Sequence, residues 1–83
     1  MVKSSRRDTF EIISDLLLNM KEHKKITHLL YSSNLSYKQL VKYLKIVKQM
    51  GLAREQEEPF HSYIITPDGQ FFIQLVKKRE EFN

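Results

Sequence analysis

The stretch NLSYKQLVKYLKIVKQMGL, residues 34–52, narrows the folds open to this chain more than any other, because it carries its own start signal, its own stop signal and two unlike faces. Ser36 followed three residues later by Gln39 is a capping box, in which the serine oxygen takes a first-turn amide and the glutamine reaches back to the serine amide. Gly51 supplies the left-handed position at which helices close. The pattern predicts a helix over about Ser36 to Met50. At about 100° per residue, Leu40, Leu44 and Val47 share one face, flanked by Tyr37, Tyr43 and Met50, while Lys38, Lys42, Lys45 and Gln49 line the opposite one. Such a helix needs a core built by other elements, and it offers that core one side only.

Those other elements are legible on either side. Phe10, Ile13, Leu16, Leu17 and Met20 recur at helical spacing and predict helix 1 over about residues 5–21, with Ser4 or Ser5 as its cap. Ile12 and Leu18 fall off that stripe, so this helix is apolar over more than one face and is central or packs on a partner. Helix 2 is expected over about residues 24–32, burying Ile26, Leu29 and Leu30, with Ser33 and Asn34 breaking it. Beyond Gly51 the period becomes two. Leu52 to Glu57 and His61 to Thr66, rich in β-favouring Tyr63, Ile64 and Ile65, predict a hairpin wing over about residues 52–65 with its turn near Glu58, Pro59 and Phe60. Thr66 and Pro67 then open a last helix, about residues 67–82, whose apolar positions are Phe71, Phe72, Leu75, Val76 and Phe82; Gly69 falls in its weakly constrained first turn. The expected fold class is α+β, mainly α: three helices, a two-stranded wing and a C-terminal helix, which is the outline of a winged helix-turn-helix.

At 83 residues this is material for one domain over residues 1–83, small enough that pairing with a second copy would help its stability. With no cysteine there is no disulfide framework and no thiolate chemistry, which suits a reducing, cytoplasmic setting. No apolar run reaches the length of a membrane span, so no membrane partner is expected. Net charge is +4, but its distribution says more. Between residues 19 and 54, Lys21, Lys24, Lys25, Lys38, Lys42, Lys45, Lys48 and Arg54 face the single acid Glu22. Acids prevail after residue 54 and balance the bases before residue 19, so the positive field is centred mid-chain.

The segment quoted above, followed by YIITPDG, resembles the archaeal winged helix-turn-helix family of small regulators and chromatin-type DNA-binding proteins over about residues 6–78. The matching positions are Asn34, Leu35, Ser36, Tyr37, Leu40, Leu44, Gly51, Leu52, Ile65, Thr66 and Gly69. The resemblance implies DNA binding, often as a homodimer held by the C-terminal helix. Chromatin-type members often extend that helix into an antiparallel coiled coil, whereas here it is expected to span about 16 residues, which argues against a long coiled coil and leaves a short helix pair open.

A helix that enters the major groove presents a polar face while its other face is anchored. Ser36, Tyr37, Lys38 and Lys42 are therefore expected near base edges, with Gln39 as an adenine reader and Lys45 and Lys48 on phosphates. Tyr37 borders the apolar face and fits core packing equally well. Ser33 and Asn34 suit phosphates or plain turn chemistry, and Lys24, Lys25 and His28 suit backbone contact or solvent. From the wing only Arg54 is a DNA candidate, because Glu55, Glu57 and Glu58 are repelled by phosphates; the acidic tip favours a wing that turns away and meets a protein, through Phe60. The expected dimer surface is Phe72, Leu75, Val76, Arg79 and Phe82, with helix 1 as the other candidate. His23, His28 and His61 lack ligand spacing, and no phosphate loop, serine elbow or paired-carboxylate site stands out, so no enzymatic activity, metal, cofactor or small-molecule ligand is expected. The functional expectation is duplex-DNA binding as a transcription regulator or nucleoid-associated protein. The rival is a protein-interaction module whose lysines serve solubility. RNA fits less well, since the A-form major groove is too narrow for a helix.

Overall fold

The computed structural model describes residues 8–81, so Ser4, Ser5 and Phe82 lie outside the described residues. Their order is α1 (Thr9–Leu18), α2 (Ile26–Ser32), α3 (Tyr37–Gln49), β1 (Ala53–Gln56), β2 (Ser62–Ile65) and α4 (Pro67–Glu81). This is the expected mainly helical winged helix-turn-helix.

Helix α1 begins later than the expected Ser5, because Asp8 is its cap: the Asp8 carboxylate accepts the Glu11 amide at 2.8 Å. It also stops at Leu18, short of the expected Lys21. Asn19 closes it with a side-chain bond to the Asp15 carbonyl, and Met20 is then fully buried with its carbonyl accepting the Ile65 amide at 2.8 Å. Four residues on, Lys24 and Tyr63 exchange both backbone bonds, Lys24 N–H to Tyr63 at 2.9 Å and Tyr63 N–H to Lys24 at 2.8 Å. Lys24, expected to open the second helix, therefore belongs to a strand stub that flanks β2, and α2 starts at Ile26. A one-residue bridge has no period to read, which is why the sequence pattern hides it.

Strands β1 and β2 pair antiparallel with Ala53 opposite Ile65 and Glu55 opposite Tyr63. The core cluster joins Ile13, Leu16, Leu17 and Met20 of the first helical region, Leu29 of α2, Leu40, Tyr43, Leu44 and Val47 of α3, and Leu52, Ala53, Tyr63 and Ile65 of the wing. It holds α3 by one face only.

Two backbone devices fix where α3 ends and α4 begins. Gly51, at φ 73°, places the Leu52 amide on the Val47 carbonyl at 2.8 Å and its own amide on Lys48 at 3.1 Å. That is a Schellman closure, and it drives buried Leu52 against Val47. Thr66 then joins the two helices through one hydroxyl, which donates to the Gly51 carbonyl at 2.6 Å and accepts the Gly69 amide at 3.1 Å. Gly69 is more than a tolerated first-turn glycine: a Cβ there would overlap the Leu52 carbonyl oxygen and stand 2.6 Å from the Ile65 side chain.

Candidate nucleic-acid interface

The capping box of α3 forms in both directions: the Gln39 amide donates to Ser36 Oγ at 3.2 Å and the Ser36 amide to Gln39 Oε1 at 3.1 Å. This start fixes the rotation of the helix, and the core fixes it again through Leu40, Tyr43, Leu44 and Val47. What remains outward is Tyr37, Lys38, Gln39, Val41, Lys42, Lys45, Lys48 and Gln49. Lys38, Lys42 and Lys45 form no ion pair with any described residue; Lys42 lies 5.5 Å from the Tyr43 ring centroid. Tyr37 is 60% exposed, so of its two expected places it takes the solvent side. Met50, expected to flank the apolar face, is 51% exposed.

The remaining expected contacts divide. Asn34 is exposed at the approach to α3, whereas Ser33 turns its Oγ out of solvent, which removes that hydroxyl from any phosphate-facing surface. Gln39 commits its carbonyl oxygen to the cap, so the two-pronged amide recognition of adenine is closed to it unless the cap opens. Lys48 is not free: its ammonium bonds Glu55 Oε1 on the wing. Arg54 is exposed, and by the two-residue alternation of β1 it stands on the other face of the ribbon from Glu55.

Glu55 is the hub of the wing flank. Besides Lys48 it takes His61 Nε2 and, at 3.2 Å, the Tyr63 hydroxyl on Oε2. The Lys48 bond, then that from His61, holds the Glu55 carboxyl down at about 2, while burial first and Glu55 second push the Tyr63 phenol up to about 12. Glu57 adds a carboxylate 3.8 Å from His61. Glu55, Glu57 and His61 thus converge where sequence spacing suggested no ligand set, yet the Lys48 ammonium already sits on that carboxylate as its cation. The acidic stretch is consequently less hostile to phosphate than its composition implies, with Glu57 and Glu58 left exposed. Phe60 is also engaged, its ring centroid 5.3 Å from the Lys25 ammonium.

Sequence reasoning missed Val41, which is 42% exposed beside the lysines, because a single valine off the apolar stripe carries no pattern of its own. It also missed Glu55, whose partners lie 6 to 8 residues away on α3, the wing turn and β2.

The expected dimer surface changes more. Val76 is buried inside the molecule, and Phe72 packs on Phe10 of α1 with ring centroids 6.1 Å apart. Arg79 bonds Asp8 at 3.0 Å and lies 5.5 Å from the Phe10 ring, so it ties α4 to the start of α1 within one copy. Of the expected set, Leu75 alone is an exposed apolar residue among the described positions, at 51%, and Phe71 one turn before it is 60% exposed. Phe82 lies outside the described residues.

A capped helix standing proud of a three-helix core, with a two-stranded wing beside it, defines a winged helix-turn-helix, and the model of that family matches residues 6–83: the chain belongs to it. It is similar in structure to Sso10a-2, a DNA-binding protein from Sulfolobus solfataricus, with a TM-score of 0.77 and 28% sequence identity over 92% of this chain and 85% of that one. No curated protein matches the chain. No helix among the described residues is long and apolar enough to cross a membrane.

Proposed function

We propose that this chain binds double-stranded DNA with α3 in the major groove, acting as a transcription regulator or nucleoid-associated protein of archaeal type in the cytoplasm. One observation carries the reading: α3 keeps Lys38, Lys42 and Lys45 exposed and free of acidic partners among the described residues, on a helix whose opposite face is buried. Three ammonium groups held in that register meet phosphates and base edges without reorganising the fold. Tyr37 and Val41 add contact surface among them, and the valine suits a thymine methyl. Membership of the winged helix-turn-helix family and likeness to a DNA-binding protein support the same assignment.

The chain works as a homodimer in this reading, with the exposed Phe71 and Leu75 of α4 meeting those of a second copy. A pair places two copies of α3 about 34 Å apart, one turn of the duplex. It has no catalytic role in this proposal.

Titrating a fluorescent duplex at rising salt tests it. Affinity should fall steeply, with log K losing about 0.9 per log unit of salt for each phosphate neutralised. Absence of duplex binding at low salt would instead favour a protein-docking module built on Glu57, Glu58 and the wing.

A further inference from the structure

The contact between α3 and the wing has a property that neither a lysine stripe nor an acidic wing has alone. Glu55 presents its carboxylate to the Lys48 ammonium in the way a phosphate would, at the flank of the helix proposed to enter DNA. It is held there from two further sides by His61 and the Tyr63 hydroxyl, so it is a fixed anion rather than a wandering side chain. Both members keep an open side, the Lys48 side chain being 42% exposed and that of Glu55 24%. Lys38, Lys42 and Lys45 have no such partner among the described residues.

Resting on the DNA-binding reading, we propose that Glu55 is an intramolecular stand-in for a DNA phosphate: it occupies Lys48 in the free protein, lowers affinity for duplex of any sequence, and so limits indiscriminate binding. Lys48 reaches a phosphate only by exchanging one anion for another, and an ammonium already neutralised has little counterion to release. The three free lysines carry the salt-dependent attraction, and Lys48 is held in reserve. The depressed Glu55 carboxyl keeps this anion charged at any pH near neutrality. The surrounding charges that share the flank are His61 and Glu57, the second 3.8 Å from the imidazole.

The test is a double-mutant cycle on duplex affinity, with Glu55→Gln, Lys48→Met and both together, and Glu57→Gln as a control for general charge. Glutamine keeps an oxygen for the Tyr63 hydroxyl while losing the charge, and thermal melts check that each variant folds. Glu55→Gln is expected to tighten binding of random-sequence duplex about tenfold at roughly 50 mM salt and to steepen the salt slope by about 0.9, one phosphate's worth. Lys48→Met alone should change affinity less than twofold, and in the Glu55→Gln background it should cancel the gain. Glu57→Gln should give a smaller gain that survives Lys48→Met. A Glu55→Gln gain that persists without Lys48 would mean plain repulsion of DNA by the carboxylate, and no gain at all would mean that Lys48 never reaches DNA; either overturns the proposal while leaving the wild-type titration, and with it the DNA-binding reading, intact. A wild-type chain that fails to bind duplex at low salt would remove both.

Discussion

Thr66, Gly69 and Glu55 each make a sequence letter mean something that composition does not convey. Gly69 lies in the first turn of α4, where exchanging glycine for alanine ordinarily gains helix propensity, yet here the added carbon meets the Leu52 carbonyl oxygen. Gly69→Ala is therefore expected to destabilise the fold by about 1–3 kcal/mol, the ordinary cost of overpacking, in urea or thermal unfolding. A neutral or stabilising result would show that α4 shifts freely on the wing. Glu55 gives a pH signature. Its carboxyl is lowered from 4.5 to about 2 by Lys48 first and His61 next, so its contribution to stability is fully present above about pH 4.5 and is lost as the pH falls toward 2. The gap in melting temperature between wild type and Glu55→Gln should narrow over that interval; a gap independent of pH would show that the ion pair contributes nothing. The Ile-Thr-x-x-Gly pattern at residues 65–69 was readable as a resemblance, but its cause was not, because the backbone atom nearest to a Cβ at Gly69 belongs to a residue 17 positions earlier.

Among the elements, α3 was the most legible because every level agrees on it: capping residues, apolar spacing, closing glycine and charge all point to one helix with one free face. Replacing Lys38 and Lys42 together with alanine should weaken duplex binding and flatten its salt dependence, while melting temperature stays nearly unchanged. Unchanged affinity would remove this face from the interface. Leu44, 3% exposed on the opposite face, should cost about 2–5 kcal/mol as Leu44→Ala, read by chemical denaturation. The stub at Lys24 was illegible for the converse reason, since its only sign is an exchange of two backbone bonds with Tyr63, and backbone bonds leave no mark on side-chain type. Helix α4 was half legible. Its apolar positions were found, but which of them face α1 and which face outward is set by contacts with distant residues, Phe72 on Phe10 and Gly69 against Leu52.

For the whole molecule the open face of α4 is the decisive surface. If Phe71 and Leu75 clasp a second copy, Phe71→Glu with Leu75→Glu should halve the mass measured by light scattering and lower duplex affinity severalfold or more through loss of the second contact. A doubled mass that survives both changes would place the pairing elsewhere, with the exposed Phe10 and Leu18 of α1 next in line. The fold class was open to sequence reasoning because a chain this short has few ways to bury four helices and a hairpin; the quaternary surface was not, since the same aromatic letters serve inside and outside. The Thr66 hydroxyl, shared between the glycine that closes α3 and the first turn of α4, has a mechanical corollary. Two hydrogen bonds to one oxygen leave little slack between α3 and α4, so in the DNA-binding reading a displacement of α4 would be felt at the lysine-bearing face.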